Sequence, residues 1–326
     1  MQENHTSAGL GCRTLPQGLV AARHEQDRLT RSDVLQEKRR LSETRAELGI
    51  ALKGKTLLPE ERDALSQEAR DCYLRETEFE EVLKTRYLPQ HSPAQLLNPR
   101  LFFVTPLFRV ASKAAPRAAM TRLELAPEKS DPIVYVGPEL RQSEGFVFMA
   151  LINLARDIQA GIAVRFSPKA LCEALFGRYD GPTRNRLREY IRRLQLGQIQ
   201  TRRYTVQLCQ RFEHPPGGDW SVALDKDIVS LFSQANVWLS FQSRAEVSEG
   251  LSSWLYGYVE AQSTLIPTSV DSLRAFCGSA SEGKAFVLSL RTALKELAAL
   301  GVIESGFRIQ QGRVHWMKKR MLGIAP

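Results

Sequence analysis

Apolar positions along this chain keep two different rhythms, and the change between them divides it into regions. From about Ala21 to Tyr87 the apolar spacing is sparse and helical. Val34, Leu41 and Leu48 recur every seven residues, while Leu65, Ala69, Cys72, Phe79 and Leu83 follow an i, i+4, i+7 rhythm. The residues between them are rich in Glu, Arg and Gln and poor in β-branched types, a composition that favours helix. The rhythm breaks over Leu52 to Pro59, where Pro59 is placed to open a second helix. An antiparallel helical hairpin is predicted. The stretch "LPQHSPAQLLNPR" then predicts a linker ending near Asn98.

Beyond the linker, short strands alternate with helices, and one arrangement occurs twice. A "SEG" at Ser143 opens an apolar helix (Phe146, Ala150, Leu151, Leu154), and a second "SEG" at Ser248 opens another (Leu251, Trp254, Leu255, Tyr258, Val259). Val164 to Phe166 predicts a short strand, followed by Ser167 and Pro168 as N-cap and first helical residue of "KALCEALFG". Its counterpart is "IPTSVDSLRAFCG", with a cap at Thr268 or Ser269 and Gly278 closing the helix as Gly177 does in the first copy. Longer amphipathic helices follow at Thr183 to Leu196 and Glu282 to Leu300. Each leads into a predicted hairpin: Ile199 to Leu208 with Trp220 to Leu224, and Val302 to Ile309 with Val314 to Lys318. Helix, strand, helix, turn, helix, hairpin is the order of a winged helix. The expected fold is therefore α+β and mostly helical: a helical hairpin and linker (1–95), a first winged-helix domain (96–235) and a second (236–326), each with its own core.

Charge sharpens this division. Residues 1–98 hold 15 Lys+Arg against 16 Asp+Glu, so the whole excess behind the net charge of +9 lies in the later residues. A basic surface there suits a polyanionic partner. The five cysteines (Cys12, Cys72, Cys172, Cys209, Cys277) are scattered without a C-x-x-C pair, which argues against disulfides and structural zinc and points to a reducing compartment. The longest apolar run, Phe146 to Ile152, is too short to span a bilayer, and no signal pattern opens the chain. A cytoplasmic protein without membrane attachment is expected.

The helix Thr183 to Leu196 buries Leu187, Tyr190, Ile191 and Leu194 and turns Arg184, Asn185, Arg186, Arg188, Glu189, Arg192 and Arg193 away from that face. Arginine suits guanine O6 and N7, and asparagine suits adenine N6 and N7, so this arc carries base-reading chemistry. Asn185, Arg188 and Arg192 are the expected base readers. Arg202 and Arg203, expected on a wing strand, suit phosphate. In the second copy Phe286, Leu290, Ala293, Leu294 and Leu297 form the buried stripe, leaving Lys284, Leu288, Arg291, Thr292 and Lys295 outward. Arg308, Arg313, Lys318, Lys319 and Arg320 are expected to track phosphates. One motif points elsewhere: Gly49 to Thr56 reads as G-x-x-x-x-G-K-T, the pattern of a phosphate loop. A buried strand should precede such a loop, and "EKRRLSETRAEL" is charged and helix-forming, so Gly49 and Gly54 are read as ending a helix. No G-x-S-x-G or H-E-x-x-H occurs, and His5, His24, His91, His214 and His315 keep no consistent partner. No enzyme, cofactor or metal is expected.

The blocks "FVFMALINLARD", "VRFSPKALCEALFG", "TRNRLREYIRRL", "WLYGYV", "LRAFCGS" and "LRTALKELAALGVI" together resemble the TrfA-type plasmid replication initiators, over about residues 98–320. That resemblance implies tandem winged helices that bind directly repeated double-stranded origin sites, help open the duplex and recruit the host replicative helicase, without hydrolysing nucleotide. Host initiator proteins and a monomer–dimer equilibrium are the further partnerships expected. The alternative is a winged-helix transcription regulator without a replication role.

Overall fold

The sparse apolar stripes near the N-terminus become two long helices, α1 (Arg31–Gly54) and α2 (Pro59–Arg86), in a computed structural model that describes residues 30–54, 57–112, 114–126 and 132–319. Thr30 and Asp33 bond reciprocally at the start of α1, Thr30 N to Asp33 Oδ2 at 2.7 Å and Asp33 N to Thr30 Oγ1 at 3.2 Å. Pro59 sits in the first turn of α2, where an N–H would have no helical acceptor. Val34, Leu41 and Cys72 are buried, and Arg45–Glu76 (3.1 Å) and Lys38–Glu80 (3.7 Å) join the two helices. The hairpin then runs into buried Tyr87 and Leu88, and α2 rests against a 3-10 turn at Lys226–Phe232.

The predicted linker is shorter than its prolines suggested. Gln95–Pro99 forms strand β1, with Leu96, Leu97 and Asn98 fully buried. Burial of three neighbours in a row leaves no alternation to read, and Pro99 sits at the strand end. Strands β2 (Phe108–Arg109), β3 (Thr121–Ala126), β4 (Ile133–Gly137) and β5 (Leu140–Arg141) lead to helix α3 (Gln142–Leu154), in which every residue is buried.

The first repeat continues with β6 (Ala163–Phe166), α4 (Pro168–Phe176) and α5 (Gly181–Leu196). Ser167 caps α4, accepting the Ala170 N–H at 3.3 Å, and Gly177 closes it in the left-handed region at φ 71°. Next come β7 (Gln198–Gln200), β8 (Thr205–Gln207), β9 (Arg211–Glu213) and β10 (Trp220–Ala223). Here the expected pairing is corrected: Ile199 to Leu208 folds back on itself as β7 and β8, and β10 pairs instead with β9 across the Pro-Gly loop. Tyr204 and Thr201 bond across a tight turn that breaks the single long strand in two. The results are a four-stranded sheet in the order β3-β4-β7-β8 and a three-stranded sheet in the order β6-β10-β9.

After the 3-10 turn the chain forms β11 (Asn236–Ser240), antiparallel to β1, then α6 (Phe241–Glu246) and α7 (Leu251–Glu260). The second repeat follows: β12 (Thr268–Ser269), α8 (Val270–Phe276), α9 (Gly283–Ala299), β13 (Arg308–Gln310) and β14 (Arg313–His315). Ser269 caps α8 with its oxygen 3.0 Å from the Ser272 N. Its sheet has the order β12-β14-β13, so both repeats place their first strand beside their third, and their third beside their second.

Instead of two separate cores, the apolar side chains of both repeats join in one cluster running from Leu88 to Trp316. The segment after β1 explains the merger. Phe108 lies over Gly145 of α3, where a Cβ would come within 2.9 Å of its ring, and the Phe103 ring occupies the space a Cβ at Gly257 of α7 would need. One wedge thus packs against the central helix of each repeat.

Candidate nucleic-acid interface

Helix α5 is capped by Asp180, whose carboxylate accepts the Thr183 N–H at 2.7 Å, and buries Thr183, Leu187, Ile191 and Leu194. Tyr190, expected in that face, is half-buried and packs against it. Asn185, Arg186 and Arg192 are exposed and Arg188 is half-buried on the outer side. Glu189 lies 3.5 Å from Arg192, so the arc carries its own counter-charge. Arg184 turns toward the sheet, with its guanidinium over the Trp220 ring at 5.4 Å.

Arg193 departs from the expected contact surface. Its Nη1 lies 2.9 Å from Oε1 of Glu144, a fully buried carboxylate that also holds Arg117 at 2.9 Å and accepts the Arg141 N–H at 3.0 Å. The partner is 49 residues away in sequence, beyond the reach of helix periodicity. Beside it, burial raises the Glu139 pKa, but the Arg141 hydrogen bond and the Arg109 charge outweigh it and hold this carboxyl below its ordinary value. Arg193 therefore ties α5 to the start of α3.

The same place joins the repeats, because the two SEG segments meet. The Ser143 hydroxyl bonds to Glu249, the Ser253 hydroxyl donates to Gln142 Oε1 at 3.0 Å, and buried Arg244 lies over the Phe146 ring at 4.4 Å. Burial pulls the Arg244 pKa down to about 10.

In α9 the buried stripe is Phe286, Leu290, Ala293, Leu294 and Leu297, as the spacing requires. Matching Leu187, Ile191 and Leu194 to Leu290, Leu294 and Leu297 aligns Asn185, Arg188 and Arg192 with Leu288, Arg291 and Lys295. Lys284, Leu288, Arg291 and Lys295 are exposed. Arg308 and Arg313 are exposed on the following hairpin, and Lys319 is exposed beyond it. Lys318 is engaged by Glu260 at 2.6 Å, and Arg320 lies outside the described residues.

Arg202 and Arg203 lie in the turn between β7 and β8, in the four-stranded sheet, and not on the hairpin that pairs with β6. On that hairpin's sheet stand exposed Arg165 and Arg211, which the sequence reading passed over. The alternation of Ala163, Val164, Arg165 and Phe166 was the available signal for Arg165: its neighbours Val164 and Phe166 are buried.

Gly49 to Gly54 continues α1 as helix, so these backbone amides are not gathered into a phosphate-holding loop; Lys55 and Thr56 lie outside the described residues. Among the described residues no group of three His, Cys, Asp or Glu side chains is placed to hold a metal ion, and no helix is long and apolar enough to cross a membrane. Cys72, Cys172, Cys209 and Cys277 are free and buried, and Cys12 lies outside the described residues. Burial pushes the Cys172 and Cys209 thiols up to about 12 and Cys277 to about 11, which keeps them protonated and unreactive.

The body is mixed helix and sheet with a repeated module, and the model of the TrfA protein family, a family of replication initiators, matches residues 91–318. The chain belongs to the TrfA family. No curated protein matches it. Among solved structures, it is similar to the crystal structure of SeMet derivatives of domain 2 and domain 3 of RctB, at 12% identity and a TM-score of 0.47, over 68% of this chain and 98% of that one.

Proposed function

We propose that this initiator recognises directly repeated double-stranded origin sites through two winged-helix units, residues 96–235 and 236–326, and that it helps open the duplex and recruit the host helicase. The observation that carries the reading is the repetition of one module. Each copy has a three-stranded sheet in first-third-second order, a capped short helix and a longer helix whose outer arc is cationic. In this reading α5 and α9 enter successive major grooves. Asn185, Arg188 and Arg192 read bases in the first, while Arg308, Arg313 and Lys319 hold phosphates in the second. Residues 1–95, near neutral in charge, are the side offered to protein partners. Arg202 and Arg203 remain candidates for phosphate contact from their turn.

The test is a duplex selected from random-sequence DNA by the full chain, with five base pairs then inserted between its two half-sites. The insertion turns the second half-site to the opposite face of the duplex, and binding should fall to that of the first unit alone. Unchanged affinity would mean that only one unit reads DNA.

A further inference from the structure

The outer arc of α9 differs from that of α5 in one chemically pointed way. At the position of Asn185 it carries Leu288, which is 68% exposed. A leucine so placed contributes nothing to the core, whose stripe on the same helix is already complete. It is flanked by Lys284 one turn before and Arg291 one turn after, both exposed, with Lys295 continuing the line. Leu288, Lys284 and Arg291 also border one groove with Val270, Asp271 and Ile309, the last on the hairpin that carries Arg308 and Arg313. An apolar spot flanked by cations on both sides fits a polyanion that has an apolar group recessed between its charges. In the major groove of DNA that group is the 5-methyl of thymine.

We propose that Leu288 reads a thymine methyl group in the half-site bound by α9, where the corresponding Asn185 of α5 reads a base by hydrogen bonding. This rests on α9 being a recognition helix. The consequence is a division of labour: the first half-site is specified by donors and acceptors, the second in part by a methyl.

The test uses the full chain and duplex selected by it from random-sequence DNA. Each thymine of the duplex is replaced in turn by deoxyuridine, which removes the methyl and leaves the pairing edge intact. One thymine in the α9 half-site should show about fourfold weaker binding as deoxyuridine, the worth of one buried methyl. Leu288→Ala should bind the thymine duplex several-fold more weakly and be indifferent to that substitution, while Leu288→Met keeps the sensitivity. Because the side chain is exposed, unchanged circular dichroism and melting of Leu288→Ala are expected as well. The inference is overturned if no thymine of the α9 half-site matters to the unaltered protein, or if Leu288→Ala keeps the full deoxyuridine penalty. It is equally overturned if the substitution abolishes self-association in sedimentation without changing DNA affinity, since Leu288 would then face a second copy. A chain that selects no duplex from the pool refutes DNA reading itself, a result distinct from selection without methyl sensitivity.

Discussion

The two repeats share a framework and differ in where they keep their charges. In the first, the central helix α3 supplies a buried carboxylate, Glu144, and the outer helix α5 supplies its cation, Arg193. In the second, the position equivalent to Arg193 is Glu296, which accepts the Ser248 N–H at 2.6 Å. The second repeat keeps an acid at the place of Glu144, but this one, Glu249, is held by Ser143 of the first repeat, and the outer helix carries a further acid where α5 has its cation. At this position the outer helix is thus a cation held by a buried carboxylate in one repeat and an acid held by a backbone amide in the other. The element order is what repeats, while the side chains at the contact are free to vary as long as each buried charge is satisfied.

Three measurements test that comparison, beginning with the largest expected effect. Glu144→Ala leaves Arg193 and Arg117 without their shared carboxylate and should cost about 3–5 kcal/mol in urea unfolding. Glu296→Ala removes hydrogen bonds from a partly exposed acid and should cost about 2 kcal/mol. Equal losses would erase the distinction between the two contacts. Next, Gly257→Ala must displace the Phe103 ring and should destabilise by about 2 kcal/mol, with Gly145→Ala against Phe108 costing less. A stabilised Gly257→Ala protein would show that the wedge yields. The smallest effect is on pH. At Glu296, as at Glu139, burial raises the pKa, but here hydrogen bonds from Ser252 and Ser248 outweigh it and hold the carboxyl below its ordinary value. A depressed pKa contributes stability above the unfolded value, about 4.3, that is lost as pH falls through the folded one. The melting temperature should therefore decline as pH falls below about 4.3, less steeply in Glu139→Gln and in Glu296→Gln. Identical slopes in all three proteins would remove these two acids from the account.

Helices and their caps were legible in the sequence because their signals are local. Pro59, Ser167, Ser269 and the stripes of α5 and α9 all lie within a few residues of what they determine. Strand pairing was harder to read. The partner of β10 across the Pro-Gly loop was misjudged because strands of three or four residues are too short to show a period. Strand β1 escaped notice because its partner β11 lies far along the chain. In sequence Arg193 is indistinguishable from its neighbours, because the carboxylate that holds it, Glu144, lies 49 residues away. Leu288 was visible as an outward leucine, but its meaning depends on the alignment of two helices that only the shared pattern of burial supplies.

The wedge formed by Phe103 and Phe108 also has a torsional consequence. With one ring against each central helix, the reading helices of the proposed units have little room to rotate about each other. In the proposed two-unit complex, rotational phase would be stored in the protein, and each base pair of mismatch in spacing would ask the duplex to twist by about 36°. Such a two-point clamp would transfer that demand to the DNA between its contacts, where flexible steps yield first. Were both proposed units to engage one duplex, part of the stress that opens it would come from the geometry of the protein itself.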